Sequence, residues 1–83
     1  MSTQEKVMAI VANVVGVAVE DLRLDASLKD DLGATSLDRY TVLMDIEDAF
    51  GLDLDDLPED ELEGRIRTVA DIISLLKDRG IQA

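Results

Sequence analysis

The chain contains no cysteine, no histidine and no tryptophan, and a single proline among its 83 residues. Lack of cysteine excludes disulfide staples, and lack of both cysteine and histidine excludes a thiolate or imidazole zinc site. Neither residue type is present to act as nucleophile or general base. Where no lysine stands near a candidate site, only a carboxylate could then act as general base, and no paired carboxylates in an apolar pocket are evident. Aromatic residues are limited to Tyr40 and Phe50, so any core is built of Val, Leu, Ile, Met and Ala, a mixture that favours helices. Bases are scarce as well, 8 against 19 acids, for a formal charge of −11. That balance argues against nucleic acid, whose phosphates need a positive surface, and against a bare anionic membrane. No apolar run approaches the roughly 20 residues of a bilayer span, so no membrane insertion is expected. The amino terminus, MSTQEKVMAIVANVVG, lacks the basic-then-apolar layout of a signal peptide. A cytoplasmic protein, or the mature form of an organellar one, is the expectation.

What remains is apolar and acidic. Hydrophobic residues make up 47 % of the chain, enough for a core in one domain spanning residues 1–83. A domain of this size buries only about 60 % of its unfolded surface, so its stability must come from compact helix packing. The strongly negative surface is better read as a ligand for basic patches on other proteins than as mere solubilising decoration, the plainer alternative.

The apolar spacing defines four helices. Ser2 and Glu5 form a capping-box pair ahead of Val7, Ile10, Val11, Val14 and Val15, giving a first helix over about residues 3–15, ended by Gly16. Residues 17–34 lack a sustained period and read as a long loop, with Leu28 and Leu32 as plugs into the core and room for a short helical turn. A second helix over about residues 36–50 carries a core stripe of Val42, Leu43, Ile46 and Phe50, and stops at Gly51. Pro58 suits the first position of a short third helix, about residues 58–63, ended near Gly64. Thr68 with Asp71 caps a fourth, about residues 69–79, with a stripe of Val69, Ile72, Ile73 and Leu76 and Gly80 as its stop. The fold class predicted is all-α, a four-helix up-and-down bundle with a long first loop and a short third helix. Asp53, Asp55 and Asp56 superficially suggest a calcium loop, but Pro58 stands where such a loop needs glycine, so no metal site is expected.

One segment is placed like an attachment point. It reads Asp31-Leu32-Gly33-Ala34-Thr35-Ser36-Leu37-Asp38. Thr35 can cap the second helix and Asp38 can complete a capping box. Ser36 then lies in the first helical turn, where unpaired N–H groups and the helix dipole favour an anion such as a phosphate ester. Read without this context, Ser36 is an ordinary serine at a helix start.

The segment resembles the motif of the acyl carrier protein family, D-L-G-x-D-S-L, at every position except the one before the serine, where Thr35 replaces the usual Asp. The resemblance extends over essentially the whole chain, including the IRTVAD start of the last helix. It implies the same four-helix fold and a carrier with no catalytic residues of its own. It further implies that Ser36 bears 4′-phosphopantetheine, transferred from coenzyme A by a phosphopantetheinyl transferase, whose thiol tethers acyl chains as thioesters. The partners implied are acyl-transferring and ketosynthase-type enzymes with basic docking patches, in fatty acid or polyketide assembly. The protein itself is expected to be a monomer. Leu37, Tyr40 and Met44 are candidates for the apolar part of the docking face, although Tyr40 and Met44 suit a core equally well. Asp38, Asp45, Glu47 and Asp48 are candidates for its acidic part, and Arg39 is a basic intrusion suited to partner choice. Two other readings stay open: an unmodified adaptor of the same fold that binds basic partners, and a carrier of aminoacyl or peptidyl groups. Thr35 points to a specialised pathway, a specialised transferase or neutral exchange between two good caps.

Overall fold

Three helices begin on a side chain that folds back to cap them, and these caps divide the chain. In a computed structural model that describes residues 2–81 apart from Asp55, Ser2 caps α1 (Thr3–Val15), Thr35 caps α2 (Ser36–Phe50) and Thr68 caps α4 (Val69–Asp78). Each cap is reciprocal: the hydroxyl accepts from the N–H three residues on, and the carboxylate there accepts from the cap's own N–H. A short α3 (Glu59–Arg65) completes the set, and among the described residues there is no strand.

α3 departs from its sequence-based bounds at both ends. Pro58 is the residue before the helix, in extended backbone (ψ 148°), and not its first helical residue. At the other end Gly64 does not stop the helix, because its φ is not positive, unlike those of Gly16, Gly33, Gly51 and Gly80. The helix runs on to Arg65, and Ile66 N–H donates to the Leu62 carbonyl at 2.9 Å while its side chain enters the core. Burial of Ile66 outweighs the helix-breaking tendency of Gly64. α4 is one residue shorter than expected, with Arg79 as its C-cap.

α1 packs against both α2 and α4, and α3 lies against α4. The core is aliphatic: Val7 and Val11 of α1, Val42 and Ile46 of α2, and Val69, Ile72, Leu75 and Leu76 of α4 are each almost wholly buried. The expected stripes contribute to it, with Leu43 and Phe50 half-buried at the edge of α2. Leu75 fills a core position that the spacing did not single out.

The long loop is stitched to the start of α4. Ser27 and Thr68 form an isolated antiparallel bridge, Leu28 N–H donates to the Arg67 carbonyl at 2.9 Å, and Ala70 N–H donates to Leu24 O at 2.9 Å. The last bond satisfies a first-turn donor of α4 that has no partner within the helix. Leu28 is the plug predicted for it, 1 % exposed, whereas Leu32 is half-buried. A 3₁₀ turn at Val19–Asp21 supplies the short helical turn. The connection between α2 and α3 is held to the far end of α4 by Arg79, whose guanidinium meets Asp56 at 3.0 Å.

Candidate functional site

Ser36 takes its position from residues on both sides of it. Gly33 turns the chain with φ +67°, a left-handed conformation that side-chain-bearing residues rarely adopt. Ala34 is then buried, and its N–H donates to the Leu28 carbonyl at 2.7 Å. Thr35 Oγ1 accepts from Asp38 N–H at 3.1 Å, and the Asp38 carboxylate accepts from Thr35 N–H at 3.1 Å. The backbone is thus anchored immediately before the serine, and Ser36 opens α2 with an exposed side chain.

The one basic residue of α2 faces this serine. Arg39 donates through Nη1 to the Ala34 carbonyl at 3.2 Å and through Nη2 to Ser36 Oγ at 3.4 Å. Two hollows meet at Arg39. One is a groove of about 290 Å³ bordered by Ser36, Tyr40 and Met44 on α2 and by Leu62 and Ile66 across from them. The other, about 360 Å³, is polar and is lined by Ser27, Lys29, Asp30, Arg39 and Arg67.

The remaining expected residues separate into distinct settings. Leu37, Tyr40 and Met44 are 73 %, 62 % and 53 % exposed, which makes an apolar strip running along α2 from the serine. None of the three is a core residue. Asp48 is exposed and Asp45 partly so. Glu47 has structural work: its carboxylate accepts from the N–H of Leu54 at 3.0 Å, where the chain turns under the groove. Asp38 is likewise engaged by its cap. The groove wall formed by Leu54, Leu57, Leu62 and Ile66 escaped the sequence reading. The apolar spacing of Leu62 and Ile66 across Gly64 was the available signal. Among the described residues no cluster of acids could hold a metal ion; Asp55 lies outside them.

The family description "Phosphopantetheine attachment site" matches residues 5–76. The chain is also 37 % identical over 79 residues to an acyl carrier protein of Chlamydia trachomatis serovar D, covering 95 % of this chain and 97 % of that one. Identity is again 37 % over 79 residues with an acyl carrier protein of Nitratidesulfovibrio vulgaris, covering 95 % and 99 %. The chain belongs to the acyl carrier protein family.

Carriers of this family hold 4′-phosphopantetheine covalently, and the surroundings of Ser36 fit such a group. The hydroxyl is exposed in the first turn of α2, at the positive end of the helix dipole, and a guanidinium lies beside the oxygen. The carrier departs from the family motif only at Thr35, which keeps the capping bond and removes a carboxylate from beside the serine. No helix among the described residues is long and apolar enough to cross a membrane.

Proposed function

We propose that Ser36 Oγ is the atom through which this acyl carrier bears its prosthetic arm, and that the arm delivers acyl intermediates in a specialised fatty acid or polyketide pathway. The observation that carries the attachment is the exposed hydroxyl at the first position of α2, on a backbone braced by Leu28, Thr35 and Asp38. When bound, the arm supplies a thiol that holds the acyl group as a thioester. The protein's own residues do the presenting. The cap fixes the backbone that carries the hydroxyl, and anchoring the reactive group on a small domain raises its effective concentration at each partner site.

Membership in the family implies a phosphopantetheinyl transferase and acyl-handling enzymes as partners. In the same reading they dock on the strip of Leu37, Tyr40 and Met44, flanked by Asp45 and Asp48, with basic patches opposite the acids. The protein acts as a monomeric, cytoplasmic carrier and leaves catalysis to those partners. Thr35 in place of Asp supports specialisation, because it alters the charge that a transferase meets beside the serine.

Intact mass after incubation with coenzyme A and a broad-specificity phosphopantetheinyl transferase tests the attachment. A single pantetheine adduct should map to Ser36 and be absent in Ser36→Ala. That variant should fold as the parent does, since Thr35 supplies the cap and Ser36 is exposed. An adduct on Ser27 or Ser74, or none with any transferase, would overturn the reading in favour of an unmodified adaptor.

A further inference from the structure

Arg39 is the only base between Lys29 and Arg65, a stretch that holds most of the chain's 19 acids. It is half-buried and turned back toward the loop, braced on the Ala34 carbonyl at 3.2 Å with its second nitrogen at 3.4 Å from Ser36 Oγ. A neutral hydroxyl at that distance is a weak partner for a guanidinium. A phosphate oxygen carried on the same atom is a strong one, because the planar, fully charged fork matches phosphate geometry. The polar hollow on the loop side of Arg39 is also lined by Lys29, Asp30 and Arg67. Arg39 thus stands between the serine and a hollow that two further cations line.

We propose that Arg39 is a positioning residue for the prosthetic arm: its guanidinium pairs with the phosphodiester on Ser36 and holds the root of the arm against the carrier. The proposal rests on Ser36 being the attachment atom. Arg39 also borders the groove with Tyr40 and Met44, so a root held there starts the arm along that groove. Without Arg39 the phosphodiester would stand beside Asp38 in a domain of charge −11, and repulsion would release it toward solvent. Arg39 therefore acts inward, on the carrier's own cargo arm, whereas the sequence suggested an outward role in partner choice.

The test loads wild type, Arg39→Gln and Arg39→Lys from coenzyme A and locates the adduct by peptide mapping. Two readouts follow: the ³¹P chemical shift of the phosphodiester, and the change in Tm on loading within each variant. The second is a difference between loaded and unloaded forms of one protein, so the loss of Arg39 contacts that do not involve the arm, the Ala34 bond among them, cancels. Loading should lower the Tm of Arg39→Gln by about 2–4 °C more than it does wild type at low salt. That gap should close in about 0.5 M salt, where the screening length falls toward 3 Å. The ³¹P shift of Arg39→Gln should differ from wild type, and Arg39→Lys should recover the Tm effect but not the shift, since an ammonium lacks the fork. Should Arg39→Gln resist loading, the shift of Arg39→Lys must still depart from wild type. An adduct on Ser36 with the same ³¹P shift and the same loading effect in all three proteins overturns the clamp and leaves the attachment standing. No adduct on Ser36 in wild type overturns the attachment, and the clamp with it.

Discussion

Truncating Leu28 to alanine should damage both the fold and the serine's setting, although Leu28 belongs to a loop. Its side chain is 1 % exposed, as buried as the core residues of α4. Its N–H donates to Arg67 O at 2.9 Å, and its carbonyl receives the N–H of Ala34 at 2.7 Å. A fully buried Leu→Ala change costs about 2–5 kcal/mol through lost transfer energy and the cavity left behind. A domain of 83 residues has only about 4–12 kcal/mol in total. A loss near 3 kcal/mol would lower Tm by roughly 12–24 °C in a domain of this size. Leu24→Ala is the control: it lies in the same loop but is 38 % exposed, and should cost about 1 kcal/mol because less apolar area is removed. Urea denaturation followed by circular dichroism gives both values. Pantetheine loading at a temperature where both variants remain folded should be slower for Leu28→Ala, since the cavity loosens the loop whose backbone carbonyl anchors Ala34. Coincident urea midpoints for the two variants would refute the reasoning, because the loop would then be a passive linker.

Thr35→Asp restores the carboxylate of the family motif and keeps the cap, so loading by a general transferase should be faster at low salt with stability little changed; equal rates would mark Thr35 as neutral exchange. With charge −11, Tm should rise with monovalent salt and further with millimolar magnesium, while partner affinity weakens as salt screens the same acids over about 8 Å; a Tm and an affinity both indifferent to salt would reduce the acids to solubilising groups. The Glu5 carboxyl is held below its ordinary value of 4.5, chiefly by the Ser2 N–H that donates to it and then by the Ser2 hydroxyl. A lowered folded pKa adds stability that is present above 4.5 and lost as pH falls through the folded value. The Tm advantage of wild type over Glu5→Gln, measured from about pH 7 down to about pH 3, should therefore shrink with acid, and a constant difference would contradict the cap's charge-dependence.

The elements with local chemistry were readable in advance. Ser2–Glu5, Thr35–Asp38 and Thr68–Asp71 each satisfy backbone donors within four residues, so the caps follow from spacing alone. Gly16 and Gly51 close their helices in left-handed backbone for an equally local reason. The serine motif was visible because it is one continuous segment. What escaped depends on how the chain turns between elements and on what those turns bury. Gly64 stays helical because Ile66 and Leu62 have somewhere to be buried, and Glu47 is committed to Leu54 N–H by the turn between α2 and α3. Arg39 looked like a surface charge in a helical pattern, and only the path of the loop places the Ala34 carbonyl within its reach. Tyr40 and Met44 fit a core stripe or an exposed one equally by spacing, and the packing of the helices leaves them outside.

The stitching of the long loop to the start of α4 also has a consequence in time. Ser36 is made early, but the residues that hold its loop, Arg67, Thr68 and Ala70, leave the ribosome well after it. A growing chain thus displays the serine motif before it owns the brace that sets the motif in place. A transferase that needs the braced motif would therefore load the serine only once α4 is in place. Released fragments ending at Ile66 should be poor transferase substrates beside the whole chain, and equal loading of the two would show that the motif needs no brace.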